Sequence, residues 1–125
     1  MDGTILLVED DPEHASLFRY TLTSAGIPNP VHWAKGGQEA LDYLARSPAP
    51  ALVFLDLNLP DLSGFEVLVW ARRQRALDGV AIVVLSASHQ ESTHATAVEL
   101  GASSYLIKPP DARRLGELMR SLTPA

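Results

Sequence analysis

The chain has 125 residues, 46% hydrophobic and 20% charged, with a formal net charge of −5 and no cysteine. This is the composition of a soluble globular domain large enough for its own core. The acidic balance argues against a nucleic-acid partner, which would demand a basic stripe. The missing thiols exclude disulfides and thiolate metal sites and suit a reducing compartment. The first residues, Met1 to Thr4, lack the basic start of a signal peptide, and no apolar run approaches a membrane span. These features give the expectation of a cytoplasmic protein made of one domain over residues 1–125, with no output domain, since the chain ends at Leu122–Ala125 directly after its last helical pattern.

Strand-like apolar runs alternate with helix-period segments along the chain. Thr4 to Val8 reads as a first strand, stopped by Glu9, Asp10 and Asp11. Asp11 is placed to cap a helix with Pro12 at its first position, Ala15, Phe18, Leu22 and Ala25 facing inward and Gly26 ending it. Val31 to Ala34 is a weaker strand, expected near an edge. A helix after Gly36-Gly37 turns Ala40, Leu41 and Leu44 inward. Ala51 to Leu55 is apolar without alternation, as in a strand buried on both faces, and Asp56 ends it. Pro60 fixes the backbone of the following turn, and Gly64 is expected to supply an angle that other residues resist.

A helix is expected from Gly64 to about Gln74, with a turn at Asp78-Gly79 and a strand from Val80 to Leu85 ending at Ser86. Gln90 to Leu100 reads as a polar helix closed by Gly101. Ser104 to Ile107 is the last strand, followed by Lys108-Pro109-Pro110. The last helix presents Leu115, Leu118, Met119 and Leu122 at helical spacing. Five strand–helix units of this size predict an α/β fold, a parallel sheet with right-handed crossovers covering both faces.

Parallel strands end on one edge, so Glu9, Asp10, Asp56, Ser86 and Lys108 are expected to converge. Clustered carboxylates repel and call for a cation; an all-oxygen set favours Mg²⁺. A metal and the Lys108 ammonium around one carboxylate, with the Ser86 hydroxyl at hand, make a site for a phosphoryl group. Gly36-Gly37 is not followed by a phosphate-loop lysine and reads as a plain turn. His14, His32, His89 and His94 show no ligand spacing and are expected at the surface, and Trp70 is expected in packing.

The segments LLVEDDP (6–12), LDLNLPDLSG (55–64), VVLSAS (83–88) and GASSYLIKP (101–109) together resemble the receiver domain of two-component response regulators, over essentially the whole chain. The blocks EALDYL and DLNLPDLSG look most like regulators that accompany phytochrome-type kinases. The resemblance implies a flavodoxin-like (βα)5 fold with strand order 2-1-3-4-5. It implies that Asp56 is the phosphoacceptor, that Glu9, Asp10, Asp56 and the Asn58 backbone carbonyl hold Mg²⁺, and that Lys108 and Ser86 contact the phosphoryl oxygens. Tyr105 matches the aromatic residue that turns inward when Ser86 is drawn to the phosphate. Asp11, His14, Leu17 and Pro110 match positions where the family docks its kinases. Two departures stand out: Pro110 replaces a large apolar residue, and Val69 and Trp70 replace commonly polar ones, which predicts an exposed apolar patch.

Three functions compete on this sequence. A signalling module takes a phosphoryl group from a histidine kinase and switches the surface of its fourth helix, last strand and last helix for a downstream partner or a second copy. It catalyses only its own phosphorylation and dephosphorylation and turns over no external substrate. A hydrolase of the haloacid-dehalogenase type would place a second Asp two residues after the nucleophile, but Asn58 stands there and no cap insertion is present. An inert adaptor would have no reason to keep every pocket residue.

Overall fold

All five apolar runs become strands: β1 (Ile5–Val8), β2 (Val31–Ala34), β3 (Leu52–Asp56), β4 (Ala81–Ser86) and β5 (Ser104–Ile107). Between and after them lie α1 (Pro12–Ser24), α2 (Gly37–Arg46), α3 (Gly64–Arg72), α4 (Glu91–Glu99) and α5 (Ala112–Leu122). The structure is a computed structural model that describes residues 3–122; Thr123 to Ala125, on which the expectation about the chain's end rests, lie outside the described residues. Every strand pair is parallel, in the order β2-β1-β3-β4-β5. This is the flavodoxin-like arrangement, with weak β2 at an edge as its composition predicts.

Alternation along each strand divides the core in two. Leu6, Val8, Val53, Leu55, Ile82 and Val84 face Ala40, Leu44, Val67, Leu68 and Ala97. Ile5, Leu7, Leu52, Phe54, Val83 and Leu85 face Ala15, Phe18, Leu22, Leu115 and Met119. Phe18 meets Phe54 edge-on with ring centroids 4.7 Å apart, which fixes α1 over β3. Each Val, Leu, Ile, Phe or Met side chain among these contributes about 1.5–3 kcal/mol on burial, so these rows hold the strand ends in place.

The helix starts are written in the sequence only in part. Asp11 accepts from the Glu13 and His14 amides with Pro12 behind it, and Ser63 and Glu66 form a reciprocal capping box on α3. Helix α2 has only Gly36 at its cap, with no side-chain bond. Its first amides, Gly37 and Gln38, instead donate to the two carboxylate oxygens of Asp61, both at 2.9 Å, from the loop after β3. Those bonds, from Gln38 and then Gly37, hold the Asp61 carboxyl below its ordinary value of 3.8. Because the folded-state value is lowered, this stabilisation is complete above 3.8 and is lost as the pH falls through the lowered value. Asp61→Ala is expected to cost about 1 kcal/mol at neutral pH, read by urea denaturation, with the deficit shrinking in acid. A pH-independent deficit would contradict the capping role.

Several boundaries differ from expectation. Ala25 caps the end of α1 half-exposed, and Thr21 takes the inward place, its hydroxyl satisfied by the Leu17 carbonyl at 2.9 Å. Helix α3 stops at Arg72, and a 3-10 turn over Arg75–Leu77 follows, with Leu77 buried. The Arg72 guanidinium explains the break: it leaves the helix to donate to the carbonyls of Gly101, Leu77 and Val80 at 2.8, 3.3 and 2.9 Å. Val69 and Trp70 are half-buried, with Trp70 packed on the core, so the expected exposed patch is largely covered.

Candidate functional site

Strands β1, β3 and β5 deliver Glu9, Asp10, Asp56 and Lys108 to one cleft, as the topology requires. Glu9 and Asp56 are 2% and 3% exposed, whereas Asp10 is open to solvent. Asp56 is the last residue of β3 and pairs with Leu85, so its backbone is fixed by the sheet. One carboxylate oxygen accepts from the Asn58 amide and the other from the Lys108 ammonium, each at 3.0 Å. Gly64 closes the loop directly behind it: a Cβ there would lie 2.5 Å from the Asp56 carbonyl oxygen. Gly64 is thus required by close approach, and not by the unusual backbone angle the sequence suggested; the glycines with positive φ are Gly3, Gly26, Gly79 and Gly101.

Glu9 is built in as firmly. Its amide donates to the Ala34 carbonyl at 3.0 Å, its own carbonyl accepts from the Trp33 indole at 2.7 Å, and its carboxylate accepts from the Asp11 amide at 3.2 Å. The second Glu9 oxygen pairs closely with Lys108, which therefore bridges the two buried carboxylates. His14 reaches the same place, its Nδ1 3.4 Å from the Lys108 ammonium and 3.6 Å from Glu9.

Burial, reinforced by the neighbouring Asp56 carboxylate, pushes the Glu9 carboxyl above its ordinary value although Lys108 pulls it down. Burial also opposes the charge on Lys108, but the carboxylates of Glu9 and Asp56 outweigh it and hold the ammonium pKa above the ordinary lysine value. The pocket therefore has more negative charge than one ammonium settles. Oxygens of Glu9, Asp10 and Asp56 lie within 4.8 Å of one another, a spacing and donor set that fit a hard divalent cation.

The cleft extends past the acidic end as a cavity of about 570 Å³. Asp11, His14, Leu17 and Pro110 all line it, together with Leu7, Phe18, Thr21 and Leu85. Leu17 is 52% exposed at its rim. Two residues stand back. Ser86 is buried and its hydroxyl accepts from the Ser88 amide at 3.0 Å, while Leu85 and Ala87 form the cleft wall. Tyr105 lies across β4, its hydroxyl donating to the Ser88 carbonyl at 3.1 Å.

Of the four histidines expected at the surface, His14, His32 and His89 are exposed and only His94 is half-buried. His14 joins the cleft, exposed His32 stacks on Tyr43 at 4.1 Å, and half-buried His94 stacks on Tyr105 at 3.7 Å. Trp33, Asp61 and His94 are working residues that the pattern did not reveal. Each acts through a partner 11 or more positions away, and nothing in local periodicity reports such a pairing.

The family model for the response regulator receiver domain matches residues 5–120. A probable methanogenesis regulatory protein, FilR2 of Methanothrix harundinacea, is 37% identical over 110 residues, which is 84% of this chain and 71% of that protein. The response regulator Rcp1 of a Synechocystis species is 32% identical over 124 residues, covering 94% of this chain and 84% of that one. Among solved structures, the bacteriophytochrome response regulator RtBRR superposes with a TM-score of 0.89 at 33% identity, over 100% of this chain and 80% of that chain. The chain spans only about half the length of the transcriptional regulators GltR, AfsQ1 and PhoP, which it also matches. With the acidic cleft, the sheet order and the matched span in agreement, the chain belongs to the receiver-domain family of two-component response regulators.

Proposed function

We propose that Asp56 accepts a phosphoryl group from the phosphohistidine of a sensor histidine kinase, and that this switches a protein-binding surface. The observation that carries the reading is the bridge from Lys108 to both Asp56 and Glu9, with Asp10 alongside. A carboxylate oxygen of Asp56 attacks phosphorus, the bond from phosphorus to the imidazole nitrogen breaks, and the histidine leaves with the bonding pair. Lys108, already 3.0 Å from Asp56, neutralises the phosphoryl oxygens as charge moves onto them. Mg²⁺ held by Glu9, Asp10, Asp56 and the Asn58 carbonyl would supply the remaining positive charge. Ser86 then leaves the Ser88 amide for a phosphoryl oxygen. The module, a single receiver domain, acts on itself in the cytoplasm and turns over no external substrate. Incubation with acetyl phosphate and Mg²⁺ should add one phosphoryl group by intact mass, and EDTA should prevent it; labelling that ignores EDTA would contradict the reading.

The kinase is read by the open end of the cleft. Leu17 on α1 and Pro110 in the loop after β5 both line the cleft that holds Asp56. They offer apolar contact to a helix that presents its histidine downward, and likeness to the bacteriophytochrome response regulator RtBRR favours a phytochrome-type kinase. Substituting Leu17 and Pro110 together by Ser should slow transfer from the cognate kinase about tenfold or more, at a cost typical of interface anchors. Labelling by acetyl phosphate should be unchanged. Parallel losses in both assays would show that the pocket, and not docking, had been disturbed. The output surface is assigned to α4, β5 and α5, where a downstream partner or a second copy would bind.

A further inference from the structure

Helix α4 is lightly held. Ala97 is its one buried residue, and Gln90 at its N-cap makes no side-chain capping bond. Its first turn is tied instead to Ser88, whose hydroxyl accepts from the Gln90 amide at 3.2 Å and lies 3.4 Å from the Thr93 hydroxyl. The same Ser88 donates its amide to Ser86 and receives Tyr105 on its carbonyl. Over the Tyr105 ring lies His94 of α4, with centroids 3.7 Å apart and planes 29° from parallel. His94 Nε2 is buried without a hydrogen-bond partner, alone in this among side-chain atoms of the described residues.

We infer that His94 is the positioning residue that joins Tyr105 to α4, so that a movement begun at Ser86 reaches the output helix through the His94–Tyr105 stack. The inference rests on the phosphoacceptor reading of Asp56 and adds to it the residue that carries the signal out. Ser88 links the pocket by hydrogen bonds to Tyr105 and to the Gln90 end of α4, whereas Tyr105 itself meets α4 through the ring face of His94. The stack carries the movement of one ring to the other by face contact, and Nε2 has no hydrogen bond that would hold His94 back from following Tyr105. A phosphoryl group that takes the Ser86 hydroxyl removes the acceptor from the Ser88 amide. The Ser88 peptide then shifts, Tyr105 shifts with it, and His94 takes the first turn of α4 along.

Hydrogen exchange on the full chain, with Mg²⁺ and with or without beryllofluoride as the phosphoryl mimic, tests this on wild type, His94→Ala and His94→Phe. In wild type the mimic should change exchange about threefold or more over residues 91–95, a size accessible to a weakly anchored helix end. In His94→Ala that response should fall to about a third or less of the wild-type response, while the response around Asp56 stays intact. His94→Phe, which keeps the ring and drops the nitrogen, should keep most of it. An equal response in His94→Ala overturns the inference. Where the Ala variant exchanges too fast at 91–95 to read, the Phe variant decides: a retained response supports the stack and a lost one overturns it. If even wild type shows no change around Asp56, the acceptor reading fails as well, which separates the two failures.

Discussion

Lys108→Ala should slow labelling of Asp56 by acetyl phosphate about 100-fold or more, the usual cost of removing a preorganised positive partner from a charge-developing step. The ammonium sits 3.0 Å from the acceptor carboxylate and pairs with Glu9 on its other side, so it is already in place before a phosphoryl group arrives. A bulk cation cannot replace it without paying to reorganise. The variant also leaves Glu9 and Asp56 buried side by side without their shared counter-charge, at 2% and 3% exposure. Its stability should therefore fall in EDTA, and Mg²⁺ should raise its melting temperature more than it raises that of wild type, since a ligand stabilises the state that binds it. Stopped labelling assays and paired melts with and without Mg²⁺ measure both effects. Undiminished labelling would remove Lys108 from the mechanism.

Arg72→Ala should be the most damaging change away from the cleft. One guanidinium serves the carbonyls of Gly101, Leu77 and Val80, and it also donates to the Ser103 hydroxyl at 3.4 Å. It thereby ties the end of α3 to the 3-10 turn, the approach to β4 and the approach to β5. The side chain also packs over Gly101, whose φ of +110 and lack of Cβ leave room for it; a Cβ would lie 2.6 Å from Arg72 Cγ. Truncation leaves half-buried carbonyls without donors and should cost roughly 2–4 kcal/mol, or a fall of roughly 10–20 °C in Tm. Arg72→Lys should recover less than half of that, because a single ammonium cannot reach the same spread of acceptors. At a temperature where the variant stays folded, phosphorylation should proceed at the wild-type rate, because the network lies at the opposite edge of the sheet from Asp56. A shift of under about 2 °C would show that water replaces the guanidinium.

The fold was legible where burial is periodic and punctuated. Ala51 to Leu55 has no polar face, and the structure buries β3 completely in the sheet centre. Asp11 with Pro12 marks the start of α1 through bonds that close within three residues. The acidic cleft was legible for a related reason: parallel topology alone brings three strand ends to one edge, so Glu9, Asp10, Asp56 and Lys108 needed no side-chain geometry to be grouped. What the sequence hid acts at long range. Asp61 caps α2 from 24 residues away, and Trp33 fixes Glu9 across the same separation. Arg72 crosses 29 positions to Gly101, which ends α3 earlier than its apolar pattern suggests. His94 sits in a polar stretch with no periodic signal, and only the fold places its ring on Tyr105. Gly64 was recognised as necessary but for the wrong cause, since proximity to the Asp56 carbonyl is a tertiary fact and backbone angle a local one.

The most direct test of the account is site-resolved phosphorylation at Asp56. Wild type and Asp56→Asn would be incubated with acetyl phosphate and Mg²⁺, analysed by intact mass, and the acylphosphate mapped after borohydride reduction and digestion. Asp56 alone combines a fixed strand end, the Lys108 ammonium at 3.0 Å and two further carboxylates whose oxygens lie within 4.8 Å. Wild type should gain one phosphoryl group, carried by the peptide containing Asp56, and Asp56→Asn should gain none. Equal labelling of Asp56→Asn, or a label mapped to Glu9 or Asp10, would contradict the account.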